Sequence, residues 1–421
     1  MAPWSTIHKK YHYAFQRLQG KYRRKEKIRV GFSVIFESIF PLQHVFELMR
    51  ESEMFEPFLI AVPDISRGTE QLLTAYIRTC ASLQAQYPGA ELLRTYTPRD
   101  ASFIQDIVST CDMYCPSIPY DGMVPPPYRH GQFWAKGVPV FYTPYGPCVS
   151  RASEEFIRNT PFFANFWRFY AQAKREMDAL PLANIRLSGF AKLDKMAEIS
   201  KKPSPRKKII IAPHHTIFKN HNSITYGHFF HYAELIARLP ALFPHADFVF
   251  RPHPLLVQNL HRHSAWGRKK TTAWLDALRR HSNVEIQEGG EYLTTFVESD
   301  ALIHDCGSFI AEYLFTGNPC CYMWDTESDV FAQFSELGKE CLEAHYIAKK
   351  EAGILNFIDT VLMEGRDDLL EKRRNIEQRL KHNYPHCSQY IVDDIKNAII
   401  DAQRTFPIMI NERESECSRE Y

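Results

Sequence analysis

No run of about 18 uninterrupted apolar residues occurs in this chain, and its N-terminus has no short apolar core, which argues against a membrane span and a secretory leader and makes the cytoplasm the expected compartment. The ten cysteines form no CxxC pair, and a disulfide framework does not suit a chain of 421 residues, so they read as reduced packing thiols. Charge of one sign is also missing. Lys plus Arg number 51 against 49 Asp plus Glu, a net +2 that excludes a surface devoted to nucleic acid. No short-period repeat or heptad run occurs. A metal set is incomplete too: nine histidines fall between 214 and 263, with His228 and His231 at i, i+3, but no carboxylate or Cys completes a ligand pattern. No metal and no cofactor is expected.

What is present is 45% hydrophobic residues, enough for two cores, in a length that suits two domains of roughly 100 to 200 residues each. One local bias breaks the balance. From Lys9 to Lys27 there are eight Lys/Arg against the single acid Glu26, with Tyr11, Tyr13, Phe15 and Leu18 interleaved. That pattern fits a helix lying on anionic headgroups as well as a solvated basic helix packed by its aromatic edge.

Short β-rich runs then alternate with amphipathic helical patterns. Lys27–Phe36 leads into a helix carrying Leu42, Val45, Phe46 and Met49; Phe58–Val62, a helix near 70–84, Leu92–Tyr96, a helix near 102–110, Asp112–Cys115 and Val138–Thr143 follow. Pro-rich 116–128 is a loop. After a polar linker at 201–208, a second series runs from Lys208–Ala212 to Cys320–Met323, and helices close the chain. Such alternation predicts parallel sheets covered on both faces: two Rossmann-like α/β units facing across a cleft, with ligands at the strand ends.

Three strand ends carry chemistry. Phe248-Val-Phe-Arg-Pro-His-Pro254 holds Arg251 and His253 between two prolines, and a guanidinium suits a diphosphate. In Ile303-His-Asp-Cys-Gly-Ser308, the N–H groups of Gly307, Ser308 and Phe309 and the Ser308 hydroxyl point at an anion on a helix N-terminus, with Glu312 one turn on, placed to reach a ribose. Ser308 equally fits a simple N-cap, and Glu312 a helix-surface acid. Ile209-Ile-Ile-Ala-Pro-His214 brings His214, His215 and Thr216 to the same cleft. On the N-terminal side, Ser33, Glu37 and His44 follow the first strand, and Glu37 or His44 is the type of residue that serves as a general base; His44 also fits an ordinary helix position.

Taken in order, Leu187-Ser-Gly-Phe-Ala-Lys-Leu-Asp194, Ile209–His214, Arg251-Pro-His-Pro254 and Ile303–Ser308 resemble the CDP-glycerol glycerophosphotransferase family, the teichoic-acid polymerases and their capsule relatives, which have a GT-B architecture. The resemblance covers roughly residues 185 to 325. It implies a transferase of polyol phosphate from a CDP-activated donor to a glycan or polyprenol-linked acceptor at the inner face of a membrane, and no nucleic-acid partner. The charge bias, the alternation and the polar linker divide the chain into a basic arm (1–26), an acceptor unit (27–185), a donor unit (186–385), and a closing helix with a frayed tail (386–421). Arg251, His253 and Ser308 would bind the donor phosphates and His253 assist departure of the nucleotide. Gly189, Asp305 and the strand-end residues above complete the donor side; Ser33, Tyr145 and Gly146 mark the acceptor side. Two features depart from the family: its paired serines appear as Gly307-Ser308, and its His-Gly as Tyr145-Gly146. The Asp305-Cys-Gly-Ser308 turn followed by Glu312 also resembles UDP-N-acetylglucosamine 2-epimerases and related GT-B sugar enzymes, which implies a nucleotide-sugar donor instead.

Overall fold

The computed structural model of the chain describes residues 4–37, 40–218, 226–325 and 329–402, with the backbone alone at 4–9 and 67. Strand β1 (Ile28–Val34) is buried on both faces, as an apolar run flanked by helices requires, and pairs in parallel with β2 (Phe55–Ala61) and, through Val30–Ser33, with the later β6 (Met113–Pro116). With β3 (Leu92–Arg94) the order is β3-β2-β1-β6, and a parallel bridge from Tyr114 to Val140 continues it into β7 (Phe141–Tyr142), β8 (Arg168–Ala171) and β9 (Ile185–Leu187). Helix α2 (Gln43–Glu51) lays Val45, Phe46 and Met49 into this core, where Phe46 meets Phe32 edge-on at 5.4 Å.

Where a helix near 102–110 was expected, the chain instead forms an antiparallel pair, β4 (Tyr96–Thr97) and β5 (Ser102–Phe103), then a short 3-10 turn at Val108–Thr110. Turn chemistry decides this. The carboxylate of Asp100 accepts both the N–H (3.2 Å) and the hydroxyl (2.7 Å) of Ser102 and closes the hairpin.

The C-terminal unit is one six-stranded parallel sheet, β10 (Lys207–Ala212), β11 (Ala246–Phe250), β12 (Val284–Ile286), β13 (Ala301–His304), β14 (Cys320–Met323) and β15 (Tyr346–Ala348), ordered β12-β11-β10-β13-β14-β15. This is the doubly wound order, in which the strand sequence reverses between β10 and β13 and leaves a crevice at their carboxyl ends. The two units meet along the 148–150 and 334–338 segments. There the Ser335 hydroxyl donates to the Cys148 carbonyl (2.7 Å), and a β-carbon on Gly338 would stand 2.1 Å from the Val149 carbonyl oxygen.

Helix α1 (Trp4–Arg23) corrects the headgroup reading of the arm's aromatic face. Tyr11, Phe15 and Leu18, spaced i, i+4, i+7, form one stripe that is buried at 4%, 0% and 0% exposure against the protein's own core, and of the four interleaved residues Tyr13 alone stands out, at 69%. Two basic residues are also spent internally: Lys10 donates to the Ala135 carbonyl (2.7 Å) and Lys21 pairs with Asp112 (2.6 Å). The closing helix, Cys387–Ile400, returns to the same core with Ile391, Val392, Ile395 and Ile399, and its Asp394 receives Arg168 (3.0 Å) and Tyr170 (2.8 Å). The frayed tail expected after it lies outside the described residues from 403 on.

One buried acid gives the fold a pH dependence. Glu176 is 2% exposed, accepts the Gln172 N–H at 2.6 Å, and burial pushes its carboxyl up to about 7. Because the folded form holds this proton longer than the unfolded chain, the contribution is whole below about pH 4.5 and is lost as pH rises through about 7. Glu176→Gln is therefore expected to raise stability at pH 8 by about 3 kcal/mol relative to wild type, with no gain at pH 4. Urea titrations at the two pH values check it; equal differences at both would contradict it.

Candidate functional site

Three loops leave the carboxyl ends of β10, β11 and β13 and converge. Pro213 stiffens the first and Pro252 and Pro254 the second, and the His253 N–H bonds the Pro213 carbonyl (3.0 Å), which ties the two loops together. The imidazoles of His214, His215 and His253 come together here, their ring centroids 4.1 to 5.0 Å apart, with one nitrogen of each within 4.8 Å of the others. Burial, followed by the neighbouring histidines, holds the His214 ring well below the usual imidazole range, so it is neutral.

The hydrogen-bond pattern assigns the tautomers. The Thr216 hydroxyl oxygen accepts the N–H groups of Tyr226 (2.9 Å) and Gly227 (3.1 Å), so its own proton goes to Nδ1 of His214 at 2.9 Å. Nδ1 of His253 likewise accepts the Leu255 N–H (3.1 Å). Both neutral rings then carry hydrogen on Nε2 and present N–H donors, the arrangement an anion needs. A divalent metal would have to displace these donors from Nδ1 or shift each ring to its other tautomer.

Asp305 is the post on which this cluster hangs, not a ligand to the donor as its place in the turn suggested. It is fully buried, and its two oxygens accept the backbone N–H groups of His214 (2.5 Å) and His228 (2.6 Å); burial pushes its carboxyl up to about 7. Arg251 is likewise turned to structure. Its guanidinium, 7% exposed, donates to Gln287 Oε1 (2.7 Å) and the Gly290 carbonyl (2.5 Å), so two of its five N–H donors brace the 287–290 loop, and burial lowers its affinity for the proton. Glu312, expected near a ribose, is 2% exposed, accepts the Tyr292 hydroxyl at 2.5 Å and faces Lys192 at 4.0 Å. Thr216 holds the two ends of its own loop, as described above. His228, read with His231 as a metal pair, instead shares Nδ1 with Asp325 (2.5 Å).

The third loop supplies half-buried donors. Ser308 is already helical (φ −62°, ψ −35°), makes no side-chain cap bond, and among the described residues its hydroxyl has no hydrogen-bond partner. The helix behind it is shorter than expected, α-helical over Phe309–Glu312 and 3-10 over Tyr313–Thr316 before Gly317 stops it in the left-handed region, so its dipole is small and the local N–H groups and hydroxyl matter more. Gly307 packs against a residue not marked in the sequence: a β-carbon there would lie 3.2 Å from the Tyr226 ring, which closes over the turn. Asn259, also missed, donates to the His215 carbonyl (2.9 Å) and holds that loop. Nothing in the local sequence marks either residue, because both act across loops distant in the chain.

From the N-terminal unit, Tyr145-Gly146 arrives at this turn: a β-carbon on Gly146 would lie 3.4 Å from that of Ser308. Of the other N-terminal candidates, Ser33 and Glu37 are engaged elsewhere. Ser33 is buried in β1 and accepts the Tyr114 hydroxyl (2.9 Å); Glu37 pairs with Arg78 (2.8 Å) and accepts the Thr79 hydroxyl (3.1 Å), both from the Thr69–Gln86 helix. His44 Nδ1 lies 3.9 Å from Asp194. Gly189 belongs to packing and not to the donor. At φ +87° it lets the chain pass His382, and Asp194 of the same motif caps the closing helix by accepting the N–H groups of Cys387 (3.1 Å) and Ser388 (2.6 Å).

The chain matches no family profile and no curated protein sequence. It is similar in fold to solved structures. A variant of the wall teichoic acid polymerase TagF superimposes with a TM-score of 0.58 over 94% of this chain and 98% of that one, at 13% identity. The same protein with CDPG gives 0.54 over 93% and 98%, at 13% identity. The UDP-GlcNAc 2-epimerase of Neisseria meningitidis bound to UDP-GlcNAc gives 0.56 over 88% of this chain and 99% of that one, at 14% identity. The fold is thus GT-B and TagF-like.

Proposed function

We propose that the chain is a GT-B transferase of cell-surface polymer synthesis that moves a glycerol- or ribitol-phosphate from a CDP-activated donor to a hydroxyl of a glycan or lipid-linked acceptor. The observation that carries the reading is the convergence of His214, His215 and His253 beside the Gly307-Ser308 turn at the crevice between β10 and β13. An acceptor hydroxyl oxygen attacks the donor's polyol-bearing phosphorus, the P–O bond of the diphosphate bridge breaks, CMP leaves with the bond's electrons, and the hydroxyl's proton is released to water. As that charge grows, the Nε2–H groups of His214 and His253, the Ser308 hydroxyl and the turn's N–H groups stabilise it; one preorganised donor of this kind is worth roughly 3 to 4 kcal/mol. Charge stabilisation, more than proton abstraction, is what these residues supply; Glu37 is held by Arg78 and Thr79. A nucleotide-sugar donor is the second reading, supported by the similarity to the epimerase that binds UDP-GlcNAc.

At the membrane the structure leaves α1 a charged face without its aromatic stripe, so any contact with anionic lipid rests on residues such as Arg17, Arg23 and Lys25, each of which contributes roughly 1 kcal/mol near an acidic surface. The test of the activity is nucleotide release from CDP-glycerol. Wild type should release CMP, and His253→Ala should lower kcat by about 100-fold or more with the melting temperature unchanged. Release of a nucleoside diphosphate from UDP-N-acetylglucosamine, with CDP-glycerol inert, would move the assignment to the second reading.

A further inference from the structure

The loop that brings Gly146 to Ser308 also carries an aromatic ledge outside the phosphate-facing cluster. Tyr120, just beyond β6, meets Tyr145 with ring centroids 6.3 Å apart and Phe156 at 5.2 Å, and the two tyrosine hydroxyls lie 3.3 Å apart. Tyr145 and Phe156 are each 36% exposed and side by side with Tyr120 present one aromatic face, and Phe156 is backed edge-on by the buried Phe163 at 5.9 Å. The ledge is anchored by the helix Arg151–Asn159, whose cap Ser150 accepts the Ser153 N–H at 3.1 Å. Its cations are neutralised or turned away: Arg158 pairs with Glu154, and Arg151 donates to the Phe334 carbonyl (3.3 Å).

Resting on the transferase reading above, we infer that Tyr120, Tyr145 and Phe156 form the acceptor subsite and that the acceptor presents a pyranose ring to them. A pyranose has an apolar C–H face that lies on aromatic rings and a hydroxyl rim that exchanges hydrogen bonds with paired phenols. An acceptor end made only of polyol phosphate would instead need free cations, and the arginines of this helix are engaged. The position fits the transfer, because Tyr145 adjoins Gly146, on which a β-carbon would lie 3.4 Å from that of Ser308 at the donor turn.

Saturation-transfer NMR tests the subsite with the full-length protein and three probes: N,N′-diacetylchitobiose, maltose and glycerol 3-phosphate. Transfer to the ring C–H protons of at least one disaccharide, falling about fivefold in Tyr120→Ala or Phe156→Ala, is the expected result. No transfer to either disaccharide, transfer undiminished in both variants, or transfer to glycerol 3-phosphate alone would overturn it. Calorimetric titration of the same variants with CDP separates the two readings. Nucleotide binding kept while the sugar signal is absent removes the ledge and spares the transferase; nucleotide binding absent from wild type removes the transferase assignment whatever the sugars do.

Discussion

Gly189→Ala is expected to destabilise the protein by about 4 kcal/mol or more and to release the closing helix. Its backbone sits at φ +87°, which costs an L-residue roughly 1 to 2 kcal/mol, and the new β-carbon would stand 2.1 Å from the His382 carbonyl oxygen and 2.7 Å from the Cys387 sulfur. A backbone oxygen cannot swing aside as a flexible side chain does, so the 382–387 turn must move. With it goes the register that lets Asp194 receive the Cys387 and Ser388 N–H groups. Gly68→Ala is the control: φ is +84° and ψ +161° there but nothing lies within 4 Å, so only the conformational cost of roughly 1 to 3 kcal/mol should appear. Hydrogen exchange at residues 387–400 should become fast in Gly189→Ala and stay slow in Gly68→Ala; protection in both would refute the docking role.

Asp305→Ala should cost a similar amount and take nucleotide binding with it. Two backbone N–H groups lose their acceptor at once, each a loss of roughly 1 to 3 kcal/mol when buried, and one of them belongs to His214, whose ring stands in the anion cluster. Affinity for CDP is expected to fall by about 100-fold even at a temperature where the variant remains folded, because the β10 loop no longer holds its ring beside His253. Asp305→Asn keeps one acceptor oxygen but turns an amide against the other N–H, so it should lose binding too. Unchanged CDP affinity in either variant would show that the post does not position the cluster.

Much of this architecture is legible in the residues. Cys320–Met323 is a strand at the expected bounds because it is a short, buried run between a helix and a turn. The strand ends with Pro, His and Gly-Ser mark the crevice, since proline and glycine at such places leave few backbone alternatives. What stayed hidden depends on the third dimension. Strands β8 and β9, of four and three residues, carry too little pattern to stand out. The stripe of Tyr11, Phe15 and Leu18 is amphipathic on paper, but which apolar surface covers it, lipid or protein, is decided by the arrival of a helix nearly 400 residues away. Arg251, Asp305 and Glu312 have the chemistry of ligands, and burial turned each into a brace. A charged group that loses water takes whichever partner is nearest, here Gln287, the His214 amide and Tyr292.

The most direct measurement of the central claim is calorimetric binding of CMP, CDP, CDP-glycerol, UDP and UDP-N-acetylglucosamine to wild type, His253→Ala and His214→Ala. Cytidine diphosphates are expected to bind wild type, CMP to bind more weakly than CDP, and each histidine variant to lose about tenfold or more, since each removes one N–H donor from the bound anion. Equal nucleotide affinity in all three proteins, or none in wild type, would contradict it.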